Sequence, residues 1–442
     1  MLKQLLILAT ACTGTAAGAT VPSWLEADSA AAIASRTRAD FPWTVDEFYE
    51  IAVKDEPSLT RDELQRRIDR KYVETLRFGD TVRVFRKSLR NMRLLDPQFR
   101  QGSHRGSTAS EARISYVDSV LACRDGRNPL GGAHRVRYRF TVDVPNHDAI
   151  LGDTLRVWLP LPMATQRQNN IRILDASHTY TLSDGRSEHN TIYFEAPVGA
   201  SGDTTHFEYT AEFDTRGEYF PADEILARIK PYDTASDFYR KYTAPEAPHI
   251  IRLDSLAAHI ADGETNPYLL SEKVYDYIIQ RYPWAGAREY STIPCIPAYV
   301  AEEGHGDCGQ VSLLYISLMR TLGIPARWES GWMLHPGEKN LHDWAEVYFE
   351  GVGWVPVDVS FGRYTPSSNP DIVGFYSHGM DAHRLAANHT VCGDFYPAKR
   401  FVRSETVDAQ MGEVETTRGN LFYPAWDSHL QLISVTPVET KQ

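Results

Sequence analysis

One apolar segment, residues 311–322, constrains this chain more than any other feature of its sequence. Its bulky side chains recur at helical spacing, at Val311, Leu314, Tyr315, Leu318 and Leu322. Gly323-Ile324-Pro325 follows, and a glycine with a proline just beyond it is a usual end of a helix. Asp307 stands where the first turn needs a cap. The segment therefore predicts a buried helix for which the fold must supply surrounding hydrophobic surface.

Cys308 lies at or near the first turn of this predicted helix. The unpaired N–H groups and the dipole at a helix N-terminus stabilise an anion. For a thiol this means more thiolate and a pKa below the reference value of about 8.5. The same N–H groups are suited to a developing oxyanion. For a cysteine considered alone, an inert buried side chain is the alternative.

Two further polar residues lie on strands predicted after the helix. Strand-like segments occur at residues 326–333, 341–349 and 354–359. A turn at residues 350–353 pairs the last two segments antiparallel, with His342 on one arm and Asp358 on the other. The hairpin should bring both side chains close together behind the helix start. Thiol, imidazole and carboxylate then form a nucleophile, a base and an orienting group, so Cys308, His342 and Asp358 are the predicted catalytic residues.

Four motifs in this order, over about residues 250–362, resemble the transglutaminase-like superfamily. They are Gly306-Asp307-Cys308-Gly309, Gly323-Ile324-Pro325-Ala326-Arg327, His342-Asp343-Trp344-Ala345-Glu346-Val347-Tyr348 and Gly353-Trp354-Val355-Pro356-Val357-Asp358. The resemblance implies a papain-like core in which Cys308 is the nucleophile, His342 the base and Asp358 the third member. Members of the family cleave or exchange amide bonds through a thioester, and some have lost activity.

Two features depart from the family. The deglycosylating amidases of the family carry paired CxxC zinc motifs, which this sequence lacks. The aromatic or amide residue that assists the oxyanion has no clear counterpart, so Trp284, Tyr299 and Gln310 are candidates. His305 is a further candidate for contact with substrate.

The whole chain predicts an α+β protein, in which a helical segment and a β-sandwich precede the papain-like transglutaminase core of helix on antiparallel sheet. A capping box at residues 60–63 begins an apolar stripe at Leu64, Ile68, Tyr72 and Leu76. Apolar and polar residues then alternate in short runs between residues 136 and 213. The predicted domains are a signal peptide at 1–19, a helical N-terminal region at 20–125, a β-sandwich at 126–225, the catalytic domain at 226–365 and a C-terminal β-rich extension at 366–442.

The first residues have the pattern of an export signal. Lys3 precedes a short apolar run, and Ala17 and Ala19 provide the small residues of a cleavage site. Residues 8–12 also form a loose lipoprotein-type sequence that ends at Cys12. We therefore expect an exported protein of the periplasm or cell surface, either simply secreted or anchored through a lipidated Cys12, which is the one membrane attachment that the sequence offers.

The cysteines other than Cys12 are open to more than one pairing. They are Cys123, Cys295, Cys308 and Cys392, in a compartment that permits disulfides. If Cys308 is a free nucleophile, three remain and at most one bridge can form among them. The sequence leaves that pairing undecided.

Charge and motifs exclude several classes of partner. With 46 basic and 58 acidic residues the net charge is −12, which argues against nucleic-acid binding. Nucleotide-binding glycine loops, haem motifs and EF-hand patterns are missing, so we expect no cofactor. A zinc site from His305, Cys308, His335 and His342 would lack a compact ligand pair, so we expect no metal. Arg327 and Glu346 are expected to form a structural ion pair across adjacent strands.

The sequence therefore favours an exported cysteine peptidase or amidase that acts on a peptide or another amide-bearing polymer. Transfer of the acyl group to an amine is less favoured than hydrolysis, since water always competes for a thioester. A binding or scaffolding protein that keeps the triad by inheritance is the alternative from another class.

Overall fold

The computed structural model describes residues 25–26, 29–100, 108–124, 128–364, 366–423 and 425–438. Helices and antiparallel sheets together give an α+β fold, as predicted. The predicted signal segment 1–19 and Cys12 lie outside the described residues. Within the described ranges, each helix is too short or too polar to cross a membrane.

The N-terminal region combines short helices with a small sheet. Its elements are β1 (Leu25–Glu26), α1 (Ser29–Asp40), β2 (Trp43–Thr44), α2 (Val45–Asp55), α3 (Arg61–Asp69), β3 (Thr75–Phe78), β4 (Thr81–Val84), α4 (Ser88–Leu95), α5 (Pro97–Arg100) and α6 (Thr108–Cys123). The capping box is confirmed, because the Thr60 side chain accepts from the Glu63 N–H and Glu63 accepts in return from the Thr60 N–H.

The prediction of a purely helical region was wrong in one part. The stripe through Tyr72 and Leu76 ends early, because α3 stops at Asp69 and Lys71 adopts a left-handed backbone with φ of 64°. Leu76 then lies on β3, which pairs with β4 in a sheet ordered β2-β4-β3. The signal for this hairpin was present, because apolar residues alternate on both sides of the Gly79-Asp80 turn.

A β-sandwich follows, as the alternating residues predicted. Its first strands are β5 (Leu130–Pro145), β6 (Thr154–Pro160), β7 (Gln168–Ala176), β8 (Tyr180–Leu182), β9 (Thr191–Pro197) and β10 (Thr204–Tyr219). The long strands β5 and β10 pair antiparallel and turn alternate side chains into the core between the sheets, where Tyr138, Phe140 and Phe213 are buried.

The core region follows the sandwich and matches the predicted order of elements. It contains α7 (Ala222–Arg228), α8 (Asp237–Thr243), α9 (Asp254–Ala261), α10 (Pro267–Arg281), α11 (Ile296–Glu303), α12 (Cys308–Thr321), β11 (Ala326–Met333), β12 (Asn340–Phe349) and β13 (Gly353–Val357). Helix α12 is buried along most of its length and packs against β11 and β12. The predicted antiparallel hairpin is confirmed, since Ala345 of β12 pairs with Val357 of β13.

The last part of the chain adds strands to sheets that earlier residues begin. Its elements are α13 (Pro370–Val373), β14 (Gly379–Met380), β15 (Arg384–Asn388), β16 (Glu413–Glu415), β17 (Asn420–Leu421) and β18 (Asp427–Pro437). Strand β18 pairs with β5, and β16 pairs with β6, so both sandwich sheets contain C-terminal strands. Strand β15 instead joins the core sheet, whose order is β13-β12-β11-β15.

Gly331 of β11 permits the close approach of β15. A Cβ atom at Gly331 would lie 1.8 Å from the carbonyl oxygen of Leu385, which is backbone and cannot rotate away. We predict that Gly331→Ala lowers the free energy of unfolding by about 1–3 kcal/mol, the usual cost of overpacking, as measured by urea denaturation.

The control for this substitution is Gly337→Asn. Gly337 has a φ of 79° and nothing within 4 Å of the position of a Cβ atom. Asparagine tolerates a left-handed backbone conformation, so the free energy of unfolding of this variant should lie within about 1 kcal/mol of the wild-type value. Equal stability of Gly331→Ala and the wild type would show that β15 shifts without cost.

Candidate active site

Cys308 is the first residue of α12, and Asp307 is its N-cap. The Asp307 carboxylate accepts from the Gln310 N–H at 3.2 Å, and the Gln310 side-chain carbonyl accepts from the Asp307 N–H at 3.1 Å. This reciprocal capping box satisfies two polar groups that a helix start otherwise leaves unpaired. It confirms the predicted cap and fixes the backbone that carries the thiol.

His342 and Asp358 are brought together by the hairpin, as the strand pattern predicted. His342 lies on β12, and Asp358 directly follows the last residue of β13. Nε2 of His342 lies 2.7 Å from Oδ2 of Asp358, and both residues are buried. Because Nε2 faces the carboxylate, Nδ1 is the nitrogen left to exchange a proton with another group.

Arg384 is a second partner of Asp358 that the sequence did not reveal. Its Nη1 atom lies 3.1 Å from Oδ2 of Asp358, and its Nη2 atom lies 3.1 Å from Asp381. Burial alone would raise the pKa of Asp358, but the neighbouring His342 and Arg384 lower it below its ordinary value. Asp358 therefore stays ionised and can orient the imidazole.

The thiol of Cys308 faces a cavity of about 810 Å³ that His342 also lines. Its Sγ atom lies 3.8 Å from Oδ2 of Asp343. Burial raises the pKa of the thiol well above its ordinary value, and the carboxyl groups of Asp343 and Asp307 raise it further. The predicted lowering of the thiol pKa is therefore wrong for this structure, because desolvation and nearby carboxyl groups outweigh the helix N-terminus.

His342 has the opposite shift. Burial lowers the pKa of its imidazole, and the Asp358 carboxylate compensates only in part. A raised thiol pKa and a lowered imidazole pKa both favour the uncharged pair. The structure therefore fits a neutral thiol beside a neutral base better than a preformed thiolate–imidazolium pair.

The N-terminal region supplies one wall of the cavity. Lys87 and Arg90, at the start of α4, line it beside Trp284, and the Arg90 guanidinium lies 5.0 Å from the centre of the Trp284 ring. Buried Asn91 donates to the Gly286 carbonyl at 2.9 Å and accepts from the Gly286 N–H at 2.8 Å. A region in which the sequence showed no chemistry thus holds the loop next to Cys308.

Tyr290 is a second residue that the sequence did not single out. Its hydroxyl donates to the Asp307 carboxylate, and it lines the same cavity as Cys308. A Cβ atom at Gly309 would lie 2.4 Å from this hydroxyl, so the glycine after Cys308 makes room for the tyrosine. The glycine-rich motif around the cysteine was the available signal, although it could not say which side chain packs there.

The other predicted contact residues lie in different places. Trp284 lines the cavity and is 38% exposed. Gln310 is buried and serves the capping box. Tyr299 instead donates to Glu74, and His305 is buried with a pKa lowered by burial to about 4. Among the residues that the structure describes, Tyr299 and His305 are outside the cavity lining.

Acidic side chains form a further wall of the cavity, at Asp343, Glu405 and Asp408. Burial raises the pKa of Glu405 to about 8 and that of Asp408 to about 6, and burial also raises the pKa of Asp343 well above its ordinary value. Gln410 fixes this wall, because its amide donates to Asp343 and to the His342 carbonyl. The cavity lining therefore contains the cations Lys87 and Arg90 together with carboxyl groups that resist ionisation.

The structure also shows the Arg327–Glu346 contact and the state of the cysteines. Arg327 and Glu346 form the predicted ion pair, with Nε 2.5 Å from Oε2. Cys123, Cys295, Cys308 and Cys392 are all free thiols in the described part of the chain.

Comparison with known proteins supports the resemblance of the core. Residues 254–359 match the family model described as the transglutaminase-like superfamily, which confirms the prediction from the four motifs. YebA of Bacillus subtilis (strain 168), an uncharacterised protein, is 28% identical over an alignment of 135 residues, and the match covers 26% of this chain. The chain spans only 18% of the length of that relative.

Solved structures also resemble this chain at low sequence identity. A candidate cysteine protease from Cytophaga hutchinsonii is 17% identical, with a TM-score of 0.46 over 71% of this chain and 93% of that chain. The periplasmic domain of TgpA from Pseudomonas aeruginosa is 13% identical, with a TM-score of 0.27 over 55% of this chain and 91% of that chain.

The raised thiol pKa has a consequence for chemical labelling. We predict that iodoacetamide alkylates Cys308 more slowly in the folded protein than in urea at pH 7, because only the thiolate reacts. The rate should rise steadily as the pH increases into the alkaline range. Mass spectrometry of the peptide that contains Cys308, over a series of pH values, measures it.

Steric hindrance is the alternative cause, because a buried thiol is also alkylated slowly when the reagent cannot reach it. Steric hindrance lowers the rate by the same factor at every pH, whereas a raised pKa moves the midpoint of the rate–pH profile to higher pH, so the pH series separates the two causes. Faster labelling of folded than of unfolded protein at pH 7 would contradict the raised pKa and restore the thiolate expected from the helix N-terminus.

Proposed function

We propose that the transglutaminase-like core at residues 254–359 makes this chain an exported cysteine enzyme that cleaves an amide bond through a thioester on Cys308. One observation supports this most directly. His342 is hydrogen bonded to the ionised Asp358 at 2.7 Å and lines the same cavity as the thiol of Cys308. The cavity offers space for a polymer segment beside the nucleophile.

In the first step, the Sγ atom of Cys308 attacks the carbonyl carbon of the amide. The thiol proton passes to Nδ1 of His342, and the carbonyl oxygen takes the electron pair of the broken π bond. General-base transfer of this kind suits the neutral thiol and imidazole that burial favours. Asp358 then stabilises the imidazolium that forms.

The oxyanion needs hydrogen-bond donors near the start of α12. The capping box engages the Gln310 N–H, which leaves the backbone N–H groups of Cys308 and Gly309 as donors without an intrahelical acceptor. The tetrahedral intermediate then releases the amine, which takes the proton from His342. Water then attacks the thioester carbonyl while His342 takes its proton. The second tetrahedral intermediate collapses to the carboxylic acid, and the Cys308 sulfur leaves and takes the proton back from His342.

The acceptor of the acyl group is proposed to be water rather than an amine. Water always competes for a thioester, whereas transfer to an amine requires a second binding site beside the cavity that Cys308 lines. Export is proposed from the N-terminal pattern of Lys3, the apolar run and the small residues at Ala17 and Ala19. The second candidate is a scaffold without turnover, favoured by the raised pKa of the thiol.

Reaction products distinguish these functions even though the substrate is unidentified. We predict that the full chain, incubated with a tryptic peptide mixture and ethanolamine, generates new peptide termini or converts glutamine to glutamate, because water resolves the thioester. Mass spectrometry counts each class of product against a parallel reaction with Cys308→Ala.

Each class of product has a separate meaning. Ethanolamine adducts as the main product would replace hydrolysis by amine transfer. A product profile identical to that of Cys308→Ala would support the scaffold. Because tryptic peptides lack cell-wall crosslinks and glycans, the same comparison with purified bacterial cell wall completes the test.

Asp358 should matter through the imidazole that it orients. We predict that Asp358→Asn lowers kcat by roughly 10²–10⁴-fold with a smaller change in KM, because an amide favours the wrong imidazole tautomer. Turnover of whichever substrate the product screen identifies is the measurement. The matched control is Asp371→Asn, whose carboxylate bonds to Tyr219 away from the site and should leave kcat close to wild type.

A further inference from the structure

A second cluster of side chains lies behind the candidate active site, at His335, Asp381 and His383. The three residues follow β11, follow β14 and precede β15, respectively. Nε2 of His335 lies 3.0 Å from Oδ1 of Asp381, and Nδ1 of His383 lies 3.8 Å from the same oxygen. One ligand atom from each residue lies within 4.8 Å of the others. Ligand atoms in a tetrahedral zinc site are about 3.3 Å apart, given metal–ligand bonds of about 2.0–2.1 Å.

Two imidazole nitrogens of this cluster lack a hydrogen-bond partner among the described residues. His335, Asp381 and His383 are 1%, 0% and 5% exposed. Nδ1 of His383 is buried and has no hydrogen-bond partner among the described residues, and the same holds for Nδ1 of His335. Leaving such atoms unpaired is costly, and each one in a native structure calls for an explanation. For His383, the unpaired atom is the one nearest the carboxylate oxygen.

Asp381 shares its permanent cation, Arg384, with Asp358 of the candidate active site. Asp381 and Asp358 are both fully buried, and both contact the single guanidinium of Arg384. Tyr376 adds a neutral hydroxyl on Asp381, while Tyr116 and His134 pack against the imidazole of His383. Two carboxylates thus share one permanent cation, and the imidazoles of His335 and His342 are their partners on the other side. A bound divalent cation would add positive charge beside Asp381.

We propose that His335, Asp381 and His383 bind a divalent metal ion, with Zn²⁺ as the preferred ion. Two imidazoles and a carboxylate are ligands that suit zinc. Oδ2 of Asp381 accepts from Tyr376 and Arg384, and Oδ1 accepts from the His383 backbone N–H at 2.8 Å while facing the two imidazoles. Such hydrogen bonds to a metal-binding carboxylate are usual. With the metal on Nε2, the neutral imidazole of His335 carries its proton on Nδ1, the nitrogen that has no hydrogen-bond partner among the described residues. This ligand set differs from the zinc site considered from the sequence, which combined His335 with His305, Cys308 and His342.

A metal at this position would connect distant parts of the chain. His335 lies in the β11–β12 connection, whereas Asp381 and His383 lie in the segment that leads into β15. Arg384 directly follows His383 and reaches Asp358, the partner of His342. The ion would therefore stabilise the fold and hold Arg384 in place, a role independent of whether the active site turns over.

A second cluster provides a matched control. Glu329, Glu346 and His389 also place ligand atoms within 4.8 Å of one another. There, however, Arg167 pairs with Glu329 and Arg327 pairs with Glu346, and His389 Nε2 already lies 2.7 Å from Glu329. Because this cluster has cations and hydrogen bonds in place, we expect it to bind no metal.

The test uses full-length protein stripped with a chelator and then titrated with ZnCl₂. Isothermal titration calorimetry should show one Zn²⁺ per chain, and the melting temperature should rise. Both effects should be lost in His383→Gln and His335→Gln and retained in His389→Gln. A Cys308→Ala background should bind equally well, which separates this site from capture of zinc by the active-site thiol.

Co²⁺ provides a readout on the wild-type chain, should a variant fail to fold. Visible d–d absorption without a thiolate charge-transfer band is expected. Absence of one-to-one binding by the stripped wild type, binding unchanged in folded His383→Gln, or binding lost in Cys308→Ala would each overturn the proposal. These outcomes do not depend on turnover, so they are distinct from a failure of the proposed enzyme.

Discussion

Compensation of the buried Asp358 carboxylate is the constraint on which the site depends. An ionised carboxylate without solvent is stable only when partners neutralise it and satisfy its oxygens. His342 provides one partner from the adjacent strand, and Arg384 provides the other from β15. The core sheet must therefore include β15, which reaches β11 because Gly331 lets the two backbones approach closely.

This compensation links the site to the rest of the chain. Arg384 also pairs with Asp381, so the imidazole of His342 is joined through a continuous set of polar contacts to the cluster at His335 and His383. The same region packs against the sandwich, because Trp332 of β11 belongs to its hydrophobic core. The sandwich thus packs against the sheet that carries His342, while side chains of the N-terminal region line the cavity.

The environment of Cys308 shows how competing electrostatic effects combine. A helix N-terminus favours a thiolate by a modest amount, which falls off within the first turn. Burial and the carboxyl groups of Asp307 and Asp343 act in the opposite direction and dominate. His342 is likewise favoured as the neutral imidazole, so in the proposed mechanism proton transfer would coincide with attack on the substrate. In that proposal, the Cys308 thiol stays protonated in the free protein and loses its proton only as it attacks the substrate.

The sequence alone determined the elements whose signals are local. The apolar spacing of residues 311–322 specified α12, and the turn at residues 350–353 specified the hairpin that unites His342 with Asp358. Contacts over long separations were decided only by the tertiary structure. Asn91 bonds to Gly286 across 195 residues of sequence. Arg384 contacts Asp358 from β15, and the alternation of residues in the sequence does not predict which strand β15 pairs with. The thiol pKa belongs to this second class, because desolvation depends on everything that packs around a group, whereas a helix start is visible in its neighbours along the chain.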